Sequence, residues 1–190
     1  WRVGLLPTSA NTIWKKVKKL FGCLPEYEFV YGSHNVQKQE LSKRKAAGFY
    51  KKDIYIEMVE KYDIKSKLIP GMIIYGEVYG DGVQKNYKYG CGQEEHKLVI
   101  FDIRVDDKYL SPDETFCVCE LLDLPTVPEL YRGPFNLEKV VELTKGSSVL
   151  VPEQKIREGV VIKSVLAEDR KVLKYVSDDY LLVKSNTDFH

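Results

Sequence analysis

Apolar and polar residues alternate along this chain in two rhythms, one suited to strands and one to helices. Trp1-Arg2-Val3-Gly4-Leu5-Leu6 is a strand-like run. Residues 38–48 carry charges in a helix-compatible pattern that ends at Gly48. Over residues 50–62, Ile54, Met58 and Tyr62 stand four apart, which makes one face of a helix apolar. Pro70-Gly71 interrupts the chain. Met72 to Tyr79 is rich in Ile, Val and Tyr and predicts a strand. Gly80 to Gly92 holds four glycines and predicts a long loop or hairpin. Lys97 to Val105 predicts a second, largely buried strand. Ser111-Pro112-Asp113-Glu114 starts a helix, with Ser as N-cap, Pro first and an acid at the third position. That helix is expected to turn Phe116, Cys119 and either Leu121 or Leu122 inward. Asn136 caps another, running to Lys145 and stopping at Gly146. Gly159 to Val165, Lys171 to Val176 and Tyr180 to Val183 read as short β segments. Helices and strands mix without a regular βαβ alternation, so the predicted class is α+β with mostly antiparallel sheet.

Composition changes this picture little. A chain of 190 residues, 44% hydrophobic and 30% charged, suits a single globular domain over residues 1–190. With 29 Lys and Arg against 28 Asp and Glu, the net charge is +1. Such a balance does not advertise nucleic-acid binding, which needs a local excess of cations. Local excess exists at Lys15, Lys16, Lys18 and Lys19, and across Lys38, Lys43, Arg44, Lys45, Lys51 and Lys52. Each cluster reads either as a solvated face or as a phosphate contact. Cys23, Cys91, Cys117 and Cys119 lack the spacing of a zinc site, and His34, His96 and His190 do not cluster with them. Free thiols imply a reducing, intracellular setting. No apolar stretch approaches the roughly 20 residues that cross a bilayer. The chain opens without Met inside a strand-like run, and the expectation is a fragment of a longer protein.

Four segments carry candidate chemistry. Tyr75-Gly76-Glu77-Val78-Tyr79-Gly80 sets a carboxylate on an apolar strand between glycines. Alternation puts Glu77 on the face opposite Gly76 and Val78, where it is either a ligand or a solvent-facing acid. Phe101-Asp102-Ile103 ends an apolar run, and Phe101 either stacks on a base or fills the core. Arg157-Glu158-Gly159-Val160-Val161-Ile162-Lys163 combines a carboxylate and an ammonium across an apolar stretch. A metal–nucleotide site needs that combination, an oxygen ligand for the metal and a cation for the phosphates; a flanking salt bridge is the structural alternative. Leu173-Lys174-Tyr175-Val176-Ser177 places a lysine in an otherwise hydrophobic strand, so Lys174 either points outward or meets an anion.

In this order and spacing the segments resemble motifs III, IIIa, IV and V of the covalent nucleotidyltransferase superfamily of ligases and capping enzymes. Tyr31-Gly32-Ser33-His34-Asn35 resembles motif Ia. The match is closer to one branch, the nick-sealing ATP-dependent RNA ligases of the Deinococcus and Naegleria type. Connecting segments match too: Gly82-Val83-Gln84 with Tyr89-Gly90, Leu110-Ser111-Pro112, Leu124-Pro125-Thr126-Val127-Pro128, Leu130-Tyr131-Arg132-Gly133-Pro134-Phe135 and Ser177-Asp178-Asp179-Tyr180-Leu181. The resemblance covers nearly the whole chain from Tyr31 onward.

The resemblance implies an adenylation domain with two mostly antiparallel sheets and flanking helices. It also implies a three-step reaction. A lysine attacks the α-phosphate of ATP and releases pyrophosphate, the AMP passes from that lysine to the 5′-phosphate of an RNA end, and a 3′-hydroxyl attacks the activated phosphate, releasing AMP and sealing the strand. On this pattern Phe101 stacks on adenine and Glu77 binds ribose. Glu158 holds Mg²⁺ or Mn²⁺ directly or through water, and Lys163 and Lys174 contact phosphates. Ser33, His34 and Asn35 join the nucleotide site, and Glu77, Phe101, Glu158, Lys163 and Lys174 are expected to line one cleft. The implied partner is RNA, as a nicked duplex or broken ends, with an RNA-binding domain upstream.

Three departures stand out. No Lys-x-Asp-Gly or Lys-x-His-Gly occurs in the 190 residues, so the nucleophile is expected a few residues before Trp1. His34 replaces the usual Arg of motif Ia, with shorter reach and pH-dependent charge. Val176 replaces a second lysine of motif V, and Lys171 falls on the opposite face from Lys174. A capping-type guanylyltransferase and a non-catalytic RNA-binding fragment are the alternative readings.

Overall fold

Eight strands and six helices form among the described residues of the computed structural model, which are 1–9, 13–22, 25–33, 37–39, 53–83, 89–151 and 154–187. The strands are β1 (Arg2–Pro7), β2 (Tyr27–Gly32), β3 (Gln37–Gln39), β4 (Met72–Gly80), β5 (His96–Val105), β6 (Lys108–Tyr109), β7 (Gly159–Lys163) and β8 (Val172–Val176). The helices are α1 (Ile13–Leu20), α2 (Ile54–Lys61), α3 (Ile64–Lys67), α4 (Pro112–Leu121), α5 (Leu137–Thr144) and α6 (Asp178–Thr187). Six strands make one sheet in the order β3-β2-β1-β4-β5-β6, and β7 pairs with β8 in a second. β1 runs antiparallel to both β2 and β4, and β2–β3, β5–β6 and β7–β8 are antiparallel as well. The α+β class with antiparallel sheets is therefore the observed one.

The chain divides into two compact units, each discontinuous in sequence. The first takes Trp1–Val78, Leu98–Leu110 and Glu114–Thr126, and the second Tyr79–Lys97, Ser111–Asp113 and Val127–His190. In the first, Val3, Met58, Ile64, Ile74, Leu98, Ile100, Ile103 and Cys119 are almost wholly removed from water. Each such large side chain adds about 1.5–3 kcal/mol of burial. α2 contributes Ile54, Met58 and Val59 to that core, and the Asp53 carboxylate accepts the Tyr55 N–H at its start, as an N-cap does. The second unit is thinner. Cys91, His96, Val140, Thr144, Val151 and Ser177 are buried, and α5 packs on β7 and β8.

Most sequence-based elements sit where expected. Asn136 caps α5 by accepting the Lys139 N–H at 2.9 Å, and the helix stops at Lys145 before Gly146, whose φ is +86°. Three expectations need correction. Residues 37–39 are strand, and the remainder of the helix expected over 38–48 lies outside the described residues. The final run, Tyr180 to Val183, is part of helix α6 rather than a strand. Its four apolar residues fit either element by periodicity, but Ser177-Asp178-Asp179 supplies a helix start. The Leu181 N–H bonds to the Ser177 carbonyl at 3.1 Å, and the two acids sit favourably at the positive end of the helix.

In α4 the inward stripe is Thr115 and Cys119, one helical turn apart, with Leu122 half-buried after it. Phe116 and Leu121 face water, at 57% and 84% exposure. Thr115 claims the inward position, and Phe116, one residue on, is rotated about 100° away from it.

Cys91 and Cys119 are buried thiols outside any disulfide, and Cys117 is an exposed one; Cys23 and His190 lie outside the described residues. Burial pushes the Cys119 thiol up to about 11, so at pH 8 it stays protonated and unreactive. Among the described residues no helix is long and apolar enough to cross a membrane. Alkylation at pH 8 followed by peptide mapping should therefore label Cys117 in the native protein and Cys119 only after unfolding. Equal labelling of the two would contradict the inward turn of α4.

Candidate functional site

In the first unit, the spacing of β4 and β5 is set at Gly76. A methyl group there would stand 2.7 Å from the Val99 carbonyl oxygen and 2.8 Å from a Leu98 methyl. Gly76 therefore shares a face with Leu98 and Ile100, whose side chains close over it. Alternation then turns Glu77 and Phe101 to the other face of the same sheet. Glu77 is exposed there, between buried Gly76 and Val78, and Phe101 is half-buried between buried Ile100 and Asp102. The Gly76 N–H donates to the Trp1 carbonyl at 3.0 Å. Ser33 follows the end of β2 and is half-buried. His34 and Asn35 lie outside the described residues, as do Lys43, Arg44, Lys45, Lys51 and Lys52 of the second basic cluster.

In the second unit, Glu158 is held by its two neighbours. Before it, Arg157 ties down the end of α5. Its guanidinium donates to the Leu143 carbonyl and to the Ser147 carbonyl, the latter at 2.9 Å and 3.2 Å, and its N–H reaches the Gly146 carbonyl at 2.8 Å. A cation on the last carbonyls of a helix is a favourable C-terminal partner.

After Glu158 comes Gly159, with φ of +154°. A Cβ there would lie 2.2 Å from the Tyr175 carbonyl oxygen and 2.9 Å from the Val176 Cα, so only glycine allows β7 to begin this close to β8. The Ser177 N–H donates to the Glu158 carbonyl at 2.9 Å, extending the ladder by one step past the Gly159–Val176 pair.

The register brings the two lysines together. Lys163 pairs with Val172 and Val161 with Lys174. Residues directly opposite share a face, so Lys163 and Lys174 are diagonal neighbours on one side of the hairpin, within reach of long side chains. Lys174 is exposed and Lys163 half-buried. Glu158 stands about 10 Å along the strand direction from the level of Lys174, three residues at about 3.3 Å each. Lys171 lies off this face. Its ammonium pairs with Asp169 at 2.9 Å in solvent, so it does not stand in for a second lysine beside Lys174.

A residue that sequence reasoning did not single out sits on Glu158. The Tyr89 hydroxyl donates to Glu158 Oε1, and the Tyr89 ring meets Tyr79 edge-on with centroids 5.9 Å apart. Burial, then the hydrogen bond to Glu158 and the charge of that carboxylate, raise the Tyr89 phenol far above its ordinary range. It stays a donor at any working pH. Its only sequence signal was the Tyr89-Gly90 pair in a glycine-rich loop, and no local pattern links positions 69 residues apart.

Similar solved structures share this fold. The Naegleria gruberi RNA ligase with PPi has a TM-score of 0.62 and 21% identity over 83% of this chain and 48% of its own. A variant of that ligase with ATP and Mn gives 0.62 and 20% over 83% and 47%. An archaeal ATP-dependent RNA ligase gives 0.52 and 19% over 100% of this chain and 43% of its own. The chain thus has the fold of these ligases and spans about half the length of the Naegleria ligase. The RNA ligase family model matches residues 27–176, and the chain belongs to that family. No curated protein matches it.

The geometry at residue 159 is directly testable. Gly159→Ala should destabilise the hairpin by about 1–3 kcal/mol, the scale of a residue forced into an unfavourable backbone region. Hydrogen exchange of the β7 and β8 amides in the intact protein should speed up by about tenfold or more, while β1 amides keep their rates. Unchanged protection of β7 would show that the close approach to Tyr175 is not what holds the strand.

Proposed function

We propose that the chain is the nucleotide-handling part of an ATP-dependent, metal-dependent enzyme that joins a 3′-hydroxyl to a 5′-phosphate in RNA. The reading rests above all on the β7–β8 hairpin, which carries one carboxylate at its base and two lysines on one face. Two ammonium groups within reach of each other on one face of a ribbon, with a carboxylate at its base, make an arrangement suited to a metal-bound anion. A nucleotide phosphate is the anion that the family membership suggests. The reaction begins with a lysine attacking the ATP α-phosphate, and none of the 190 residues lies in the family's Lys-x-Asp-Gly or Lys-x-His-Gly motif.

Lys163 and Lys174 would take the phosphate oxygens and offset negative charge as the phosphoryl bond changes partners. Glu77 would accept from ribose hydroxyls and Phe101 would stack on adenine, with Ser33, His34 and Asn35 near the phosphates. The metal would be Mg²⁺ or Mn²⁺. Among the described residues no group of three or more His, Cys, Asp or Glu could cage one. A single carboxylate with one oxygen already hydrogen-bonded fits a hard cation whose other ligands are phosphate and water. Bound there, the ion would polarise the phosphoryl group and screen its charge. The whole protein's substrate, a nicked duplex or broken RNA ends, belongs to the same proposal.

The intact protein should lose about 10²-fold or more in sealing a nicked RNA duplex on Lys163→Ala or on Lys174→Ala, the scale of one lost electrostatic contact to a transition state. Folding should be nearly unchanged. Lys171→Ala, paired with Asp169 off the shared face, is the control and should seal normally. Pre-adenylylated RNA separates the last step from the first. Wild-type sealing by both lysine variants would make these residues surface charges and remove the proposal's footing.

A further inference from the structure

We propose that Tyr89 is a positioning residue for Glu158. Its hydroxyl holds Oε1, so the carboxylate presents its other oxygen to a divalent cation, or to that ion's water, in one fixed direction. This rests on the reading of Glu158 as the metal carboxylate and goes beyond it, because Tyr89 itself would touch neither metal nor nucleotide.

Three observations carry the inference. The first is the hydrogen bond, made by a neutral phenol to a carboxylate 69 residues away. Such a bond to an ionised acceptor is roughly twice as strong as one between neutral groups. The second is its support. The Tyr89 ring is braced edge-on by Tyr79 at an interplanar angle of 71°, and Tyr180 and the Gln154 side chain stand beside the phenol. The third is the backbone. Tyr89 has φ of +49°, a left-handed conformation that is unfavourable for a bulky residue. Next to it Gly90 is left-handed too, with φ of +66°, so the turn that aims the ring is built from two such residues. A tyrosine there merely to fill space would gain nothing from its hydroxyl.

A carboxylate has two oxygens and a freely turning terminal bond, so an unrestrained Glu158 would sample several orientations toward a cation. Fixing one oxygen removes most of that freedom before the ion arrives. Partners of this kind, which orient a ligand without contacting the metal, change metal affinity by about 10–100-fold when removed. Arg157 and Gly159 fix the backbone of Glu158; Tyr89 fixes the end of its side chain.

The test titrates Mn²⁺ into the intact protein loaded with AMP and reads the free ion by electron paramagnetic resonance. Wild type, Tyr89→Phe, Glu158→Gln and the double variant are compared. Tyr89→Phe keeps the ring that packs on Tyr79 and loses only the hydroxyl. It should weaken Mn²⁺ binding by about tenfold or more, leave AMP affinity without metal unchanged, and add nothing in the Glu158→Gln background. Saturating Mn²⁺ should restore its sealing of pre-adenylylated RNA, which a folding defect would not allow.

Wild-type Mn²⁺ binding by Tyr89→Phe, an additive double variant, or no recovery at saturating metal would each overturn the inference while Glu158 keeps its role. A silent Glu158→Gln would instead sink the metal assignment itself, and the inference with it.

Discussion

A methyl group at residue 159 would stand 2.2 Å from the Tyr175 carbonyl oxygen, and the arrangement of the second unit follows from the absence of that methyl. Because residue 159 is glycine, β7 can begin flush against β8, and the ladder runs on to the Glu158 carbonyl. The register this fixes sets Lys163 diagonal to Lys174. A slip of one residue would send the lysines to opposite faces, since side chains alternate along a strand. Arg157 works from the other side, fastening the chain to the carbonyls at the end of α5. Glu158 is thus placed by a backbone contact after it and a side-chain anchor before it.

The two units divide the physical labour. The first holds the almost wholly buried apolar side chains, and its glycine, Gly76, serves close strand packing under a presented carboxylate. The second is poorer in core and richer in polar tethers. Its hairpin leaves Val161 and Leu173 each 57% exposed, so burial contributes little to it, and backbone pairing, the helix-end anchor and the tyrosine–carboxylate bond contribute more. Elements with few buried contacts open at lower free energy than a packed core. The nucleotide-handling role proposed for the hairpin suits an element from that end of the range.

Legibility in the sequence followed the range of the interaction involved. Met72 to Tyr79, Lys97 to Val105 and the Asn136-capped helix were readable because strand alternation and helix caps are local signals. Glu77 opposite Gly76 was readable for the same reason. The final helix was misread because Tyr-Leu-Leu-Val suits either element, and the deciding cue lay in Ser177-Asp178-Asp179 just before it. Phe116 was misread because Thr115, a polar residue, occupies the buried position beside it. At the candidate site the order of Glu77, Phe101, Glu158, Lys163 and Lys174 was visible, and so was the five-residue gap between Glu158 and Lys163. The Tyr89 hydroxyl on Glu158 and the Arg157 clamp on α5 were not. Each joins residues distant in sequence through side-chain geometry, and a single sequence carries no periodic trace of such contacts.

On the proposed function, the Gly159-anchored hairpin presents Glu158 to a divalent ion and Lys163 and Lys174 to nucleotide phosphate. Anomalous diffraction from crystals of the intact protein grown with ATP and Mn²⁺ would test it most directly. The predicted result is a manganese peak at about 2.0–2.2 Å from Glu158, or one water further, the range of small hard cations on oxygen, with phosphate oxygens within hydrogen-bond reach of both lysines. A well-ordered nucleotide with its phosphates and manganese away from this hairpin would contradict it.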